Sequence, residues 1–395
     1  MSRIDDLIQQ HCPDGVEYRA LGDIAHYSDT RVSSDLLDND TFVGVDNLLP
    51  DKRGRATATY RPNTAMLTGF GPGDVLLGNI RPYLRKVWLA DRSGGCSGDV
   101  LAIRRAKKYE EAILPSFLYY VLSSERFFAH NNQNAKGAKM PRGSKDAILR
   151  FQLQVPPVEV QCEIVRVLDL FQSLEAELEA ELEARRTQYA HYRNALLVSD
   201  EYATLGDVAE FKYGYTATAK TEGDYRFLRI TDIDSRGKLS VDGARFVDAN
   251  GGVDDYLVAP GDLLMARTGA TYGKTMLVED EQASVYASFL IRIRLDPRVM
   301  SPAYYWHFAQ SRAYWAQVDA LVSRGGQPQF NANVLRLLRV PTPALDEQSR
   351  VVAQLSAFDA LADDLAVGLP AEIRARRVQY EYYRDRLLSF EEAVA

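Results

Sequence analysis

Cysteine is scarce in this 395-residue chain. Cys12, Cys96 and Cys162 are its three cysteines, far apart and without a CxxC pair. That argues against a disulfide framework and a structural zinc site, and predicts a reducing, cytoplasmic setting. Histidine is also sparse: His11, His26, His130, His191 and His307 form no metal-ligand spacing. No apolar run reaches the length of a membrane span, and the first residues carry acids where a secretory signal would be apolar. GxSxG and HExxH are absent, as are a Gly-rich cofactor loop and the Asn/Asp-Pro-Pro-aromatic motif of amino-methyltransferases. Two segments come close to known motifs. Gly269-Ala270-Thr271-Tyr272-Gly273-Lys274-Thr275 has three residues between its glycines where a P-loop has four. Asp232–Gly237 opens like a calcium loop, but Arg236 replaces an oxygen ligand and Gly243 stands where a glutamate is needed. No catalytic centre, no metal and no cofactor are expected.

Hydrophobic residues make up 46% and charged residues 26%, enough apolar material for packed interiors. The net charge of −7 argues against a nucleic-acid partner until its distribution is considered. Residues 72–150 carry 14 basic against 7 acidic side chains, and residues 260–340 carry 9 against 6, while every flanking segment is acidic. One basic block therefore sits in each half of the chain.

The halves share more than charge. Arg185-Arg186-Thr187-Gln188-Tyr189-Ala190-His191-Tyr192-Arg193-Asn194-Ala195-Leu196-Leu197 matches Arg376-Arg377-Val378-Gln379-Tyr380-Glu381-Tyr382-Tyr383-Arg384-Asp385-Arg386-Leu387-Leu388 at eight of thirteen positions. Val155-Pro156-Pro157 with Gln161 matches Val340-Pro341-Thr342-Pro343 with Gln348. Leu21-Gly22-Asp23 matches Leu205-Gly206-Asp207, and Gly73-Asp74-Val75-Leu76-Leu77 matches Gly261-Asp262-Leu263-Leu264-Met265, in the same order. A period this long excludes a solenoid and indicates tandem duplication of a whole module.

Each module has two parts. Short β-type runs bounded by turn residues (Thr41–Val45, Asp74–Leu77, Lys86–Ala90 and Val100–Arg104, then Arg226–Ile230, Asp262–Ala266, Thr275–Val278 and Phe289–Arg294) predict a twisted, mostly antiparallel sheet. Short helices fit Pro115–Phe128 and Pro302–Val318. A long helix follows. From Gln161 the apolar residues Ile164, Leu168, Phe171, Leu174, Leu178 and Leu182 keep helical spacing, and proline before them suits a first turn. The second helix repeats this over Val352, Leu355, Phe358, Leu361 and Leu365, and Gly368-Leu369-Pro370 predicts a kink or short break in it. The fold class is α+β: two tandem globular domains, each followed by a long helix. The expected boundaries are 1–155, 156–198, 199–340 and 341–395.

The first long helix contains Leu174-Glu175-Ala176-Glu177-Leu178-Glu179-Ala180-Glu181-Leu182-Glu183-Ala184, the unit LEAE repeated. This is at least an exposed amphipathic segment of strong helix formers. Together with the duplicated helix starts, the two RRxQYxxYRxxLL ends and the Gly-Leu-Pro segment, it carries a resemblance over essentially the whole chain. The arrangement resembles the specificity subunit of type I restriction-modification systems, and the subgroup in which tetrapeptide units set target spacing. The resemblance implies two target-recognition domains, each reading half of a bipartite double-stranded DNA site. It implies long helices packed as an antiparallel coiled coil, two modification (methyltransferase) subunits and added restriction subunits that work with ATP, and no membrane. Leu174, Leu178 and Leu182 would line the spacer-setting strut. One LEAE unit adds roughly 6 Å to a helix, close to two base-pair steps of about 3.4 Å. Its glutamates would repel phosphates, so the strut should pack on protein.

Base edges are read by polar or bidentate side chains on reaching loops, while cations and amides hold phosphates. Gly78–Lys86 offers Asn79, Arg81, Tyr83, Arg85 and Lys86, and Asn131–Lys145 offers Lys136, Lys139, Arg142 and Lys145. Corresponding places in the second half hold Arg267, Thr268, Tyr272 and Lys274, then Arg324, Gln327, Gln329 and Asn331. The runs Arg53-Gly54-Arg55 and Arg104-Arg105-Ala106-Lys107-Lys108 read as ordinary surface charge or phosphate contacts. Two other classes fit less of the pattern: a protein-binding scaffold of two domains on a coiled coil, and a nuclease with an unrecognised site.

Overall fold

Both proline-containing segments lead into the longest helices of the chain, Val158–Leu196 and Leu345–Leu387. The computed structural model describes residues 3–240, 242–249, 251–279, 282–322 and 330–392. Of the kink or short break expected in the second helix, the break does not occur, because helical backbone runs through Gly368-Leu369-Pro370. An interior proline removes one backbone bond and crowds the preceding turn, at about 3 kcal/mol. Alanines and leucines before it, and alanines, glutamate and arginines after it, favour helix strongly enough to carry it through.

The chain forms two compact units, Met1–Glu179 with Ala371–Ala395, and Ala180–Pro370. Each unit thus owns part of both long helices. In unit 1, Phe171 stacks on Tyr383 at 5.6 Å, Gln172 Nε2 donates to the Tyr380 hydroxyl at 3.3 Å, and Arg377 pairs with Glu175 and, at 2.6 Å, with Glu179. One number rises as the other falls, so these segments run antiparallel. In unit 2, Tyr192 stacks on Phe358 at 5.2 Å, and Tyr189, held above its ordinary range by burial and by Asp359, is its neighbour one turn away. The second repeated tyrosine of each RRxQYxxYR segment, Tyr192 and Tyr383, therefore packs on the phenylalanine of the other module's helix.

The sheets repeat as well. Unit 1 has an antiparallel sheet in the order Ala25–Tyr27, Val100–Arg105, Val75–Gly78, Val87–Leu89. Unit 2 has Ala209–Tyr213, Leu290–Leu295, Leu263–Ala266, Thr275–Leu277 in the same order. The repeated Gly-Asp motif locks this sheet in both copies. Asp74 accepts from the Gly71 N–H at 2.8 Å and pairs with Arg104 at 2.8 Å, as Asp262 accepts from the Ala259 N–H at 3.1 Å and pairs with Arg294 at 2.9 Å. A second sheet in each unit contains one parallel pair, Phe42–Val43 with Gly94–Cys96, and Tyr225–Leu228 with Ser284–Tyr286. A two-stranded ribbon closes each domain beside its long helix, Tyr18–Ala20 with Gln152–Gln154 and Tyr202–Thr204 with Arg339–Pro341.

Each expected short helix is a pair, Pro115–Leu122 with Glu125–Gln133, and Pro302–Ala309 with Arg312–Leu321. The chain turns at serine in both: Ser124 and Ser311 cap the following helix by accepting from the Phe127 and Tyr314 N–H groups. A helix at Arg3–His11, outside the repeat, contributes Ile4, Leu7 and Ile8 to the unit 1 core. No helix among the described residues is long and apolar enough to cross a membrane.

His307 lies on the Pro302–Ala309 helix, where Tyr120 stands in the first copy. It is buried, with Asp359 at 3.8 Å. Burial, then the charges of Arg193 and Lys238, push its pKa down to about 4. Proximity to Asp359 acts the other way, but the ring's desolvation outweighs it. The folded ring is neutral, so the unfolded state binds more protons between pH 6.5 and about 4, and stability falls as pH drops through that window. Trp306, whose ring centroid is 4.8 Å from that of His307, is a local fluorescence reporter. Acid unfolding followed by tryptophan fluorescence should show unit 2 losing stability across this window, and His307→Gln should flatten the loss. An unchanged slope in that variant would contradict the assignment.

Candidate nucleic-acid interface

The two loop segments singled out in the first half meet in space. Gly78–Lys86 is the tip of the hairpin formed by Val75–Gly78 and Val87–Leu89. Residues 134–144 connect the Glu125–Gln133 and Lys145–Leu149 helices. The Arg81 N–H donates to the Pro141 carbonyl at 2.7 Å, and the Gly143 N–H to the Asn79 carbonyl at 3.0 Å. Unit 2 repeats this junction: the tip is 267–274, and the Phe330 N–H donates to the Arg267 carbonyl at 2.7 Å. The next residue caps a helix in both copies, Ser144 accepting from the Ala147 N–H and Asn331 from the Asn333 and Val334 N–H groups.

The candidate side chains divide into free and engaged. Arg81, Tyr83, Lys136 and Lys139 are exposed, and no hydrogen bond or ion pair joins the cations of Arg81, Lys136 and Lys139 to any described residue. Arg142 is exposed and paired with Asp99 at 2.8 Å, and Lys145 lies over the Tyr27 ring at 5.8 Å. Arg85 pairs with Glu125 at 2.7 Å, and the Lys86 ammonium donates to the Val45 carbonyl at 2.8 Å. Asn79 is buried with its Oδ1 unpartnered. Asn131 beside it is buried with both amide atoms unpartnered, and Gly143 leaves room for both amides. In unit 2, Arg267 is half-buried between Tyr213 and Phe289 and donates to the Ser288 carbonyl at 3.1 Å. Thr268 is buried, Tyr272 donates to Asp319 at 3.1 Å, and Lys274 is half-buried. Arg324, Gln327 and Gln329 lie outside the described residues. Arg104 and Arg105 serve their own domain, through Asp74 and through the Glu110 and Ile113 carbonyls.

Sequence reasoning passed over Asp51 and Lys52. Among the described residues four non-glycines have positive φ, Asp51, Lys52, Arg81 and Arg85, and all four belong to one junction. The Asp51 N–H donates to the Leu84 carbonyl at 2.9 Å and the Lys52 N–H to the Arg85 carbonyl at 3.0 Å. Left-handed backbone costs an L-residue roughly 1–2 kcal/mol, and such strain gathers at functional sites. Lys52 reaches Glu125 at 3.5 Å and Glu381 at 3.3 Å. Burial and the charge of Arg384 lower its pKa, and the two glutamates oppose that shift. No composition signal marks such a junction, because its parts are distant in sequence.

Taken together, the fold is a duplicated α+β architecture in which each copy joins a hairpin tip to a helix-linking loop. The chain belongs to the type I restriction modification DNA specificity domain family, whose sequence profile matches residues 96–184 and 200–375. It is 30% identical over 247 residues to the EcoR124I/EcoR124II type I restriction enzyme specificity subunit of Escherichia coli, a match covering 58% of this chain and 59% of that protein. A putative type I restriction enzyme specificity subunit of Haemophilus influenzae is 28% identical over 301 residues, covering 71% and 74%. The fold matches a chain from a solved structure concerned with assembly of a type I restriction-modification system, with TM-score 0.62, 16% identity and coverage of 95% and 97%. The specificity subunit structure from M. genitalium matches with TM-score 0.51 and 12% identity, covering 95% and 96%.

Proposed function

We infer that this chain is the DNA-recognition subunit of a type I restriction-modification assembly, and that each unit reads one half of a bipartite double-stranded target. The carrying observation is the repeated junction: the same carbonyl–amide bond ties a hairpin tip to a second loop in both units, and in unit 1 the two joined loops carry the free cations Arg81, Lys136 and Lys139. Two methyltransferase subunits and the restriction subunits supply the chemistry in this reading, and the chain itself is non-catalytic. The family gives no support to the scaffold or nuclease readings. Arg81, Lys136, Lys139 and Arg142 are the exposed unit 1 contacts. Lys274 and Tyr272 are those of unit 2, and Arg267 acts there as an aromatic-clamped support.

Arg81→Ala should weaken binding of the target by about 1–3 kcal/mol if the guanidinium reads a base. If it holds a phosphate, the loss is uniform across sequences and the salt slope falls by about one. Fluorescence anisotropy of the chain with its methyltransferase subunits on labelled duplex measures both. Unchanged affinity, with unchanged methylation at both half-sites, would remove this loop from the interface.

A further inference from the structure

We propose that Glu125 is a positioning residue: it holds the Arg85 end of the unit 1 hairpin tip in the DNA-free chain, and passes its carboxylate to Arg384 when a DNA phosphate takes Arg85. This rests on the reading of that tip as a DNA contact. Glu125 Oε1 lies 2.7 Å from Arg85, 3.5 Å from Lys52 and 3.9 Å from Arg384. Arg384, on the second long helix, is fully buried, yet neither terminal nitrogen of its guanidinium makes a hydrogen bond. Its Nη2 is within 2.9 Å of Asp385 but out of hydrogen-bond geometry, and only Nε donates properly, at 3.0 Å. A buried guanidinium with unfilled donors is a standing demand for a carboxylate. A shift of about 1 Å would bring Glu125 into charge-assisted range. Glu125 therefore has claimants on two sides, Arg85 and Lys52 at the loop junction and Arg384 on the helix.

The surroundings favour such an exchange. Arg85 and Lys52 both sit in left-handed backbone, cross-linked to each other, so the loop is held in a strained form by its side-chain anchors. The second copy lacks the device. Arg312 stands in place of Glu125, Ala190 in place of Glu381 and Asn194 in place of Asp385, and the Arg312 N–H simply donates to Asn194. The duplicated scaffold does not need these charges, so they serve something particular to unit 1.

The test uses the full chain with its methyltransferase subunits and a fluorescein-labelled mixed-sequence duplex across a salt series. Glu125→Gln should tighten binding by about three- to tenfold, because the competing carboxylate is gone. Arg384→Met should loosen it several-fold, Arg384→Lys should restore most of that, and Arg384→Met should do nothing in the Glu125→Gln background. Arg85→Ala should abolish the Glu125→Gln gain. Thermal unfolding checks the fold, and if Arg384→Met is unfolded, the Glu125→Gln and Arg85→Ala pair decides. Tightening that persists without Arg85, additive effects of Glu125 and Arg384, or no tightening at all would each overturn the proposal. If Arg85→Ala itself leaves binding unchanged, the fault lies in the loop's assignment to DNA.

Discussion

Gln161→Leu is expected to remove about 3–5 kcal/mol from unit 1, enough to unfold a marginal domain near body temperature. Gln161 is fully buried at the start of the first long helix. Its Oε1 accepts from the Leu114 N–H at 2.9 Å, and its Nε2 donates to the Ala112 carbonyl at 2.8 Å and the Pro156 carbonyl at 2.7 Å. Leucine fills a similar volume but leaves all three backbone groups without their side-chain partner. Each orphan costs about 1–3 kcal/mol. Gln348 does the same work in unit 2, accepting from the Ser301 N–H and donating to the Val299 and Pro343 carbonyls. Gln348→Leu should therefore cost as much there. Urea unfolding followed by circular dichroism measures both, and a loss below about 1 kcal/mol in either variant would contradict the account.

Deleting Leu178–Glu181 should shorten the preferred spacer between half-sites by one base pair and leave the half-sites unchanged. The deletion removes one LEAE unit, and Leu182 and Glu183 move into the places of Leu178 and Glu179, so the partner of Arg377 is replaced in kind. Four residues are about 6 Å of rise and, at 3.6 per turn, a net rotation of about 40°. A duplex turns roughly 34–36° per base pair, at 10–10.5 base pairs per turn. Rise alone suggests nearly two steps of about 3.4 Å. A recognition loop must face its groove, however, and rotation matches one step, so phase decides. Methylation of a duplex panel with graded spacers measures the shift, and an unchanged optimum would remove the strut role from this segment.

Much of the fold was legible because the duplication compared the chain with itself. A residue such as Gln161 or Asp74 gains meaning when its counterpart makes the same hydrogen bonds. Strand positions followed from β-type runs between turn residues. The Gly-Leu-Pro segment does not break the helix, because local helix-breaking chemistry yielded to the propensity of its neighbours. The serine turns inside the short helices were missed because apolar periodicity continues across them. At the candidate interface the loops were legible from their cations and glycines. Which cations are free was not, since Arg85, Lys86 and Arg267 are engaged by partners remote in sequence. Lys52 carried no signal for the same reason, and the repeat marked Arg384 without revealing Glu125 beside it.

Sequencing modified bases in DNA from cells expressing this chain with its methyltransferase subunit tests the central claim most directly. The account predicts one motif made of two specified half-sites separated by a fixed run of unspecified bases, with Arg81→Ala disturbing one half-site only. A single continuous motif, or modification disturbed equally at both half-sites by that variant, would contradict a chain that reads its target with two separate units.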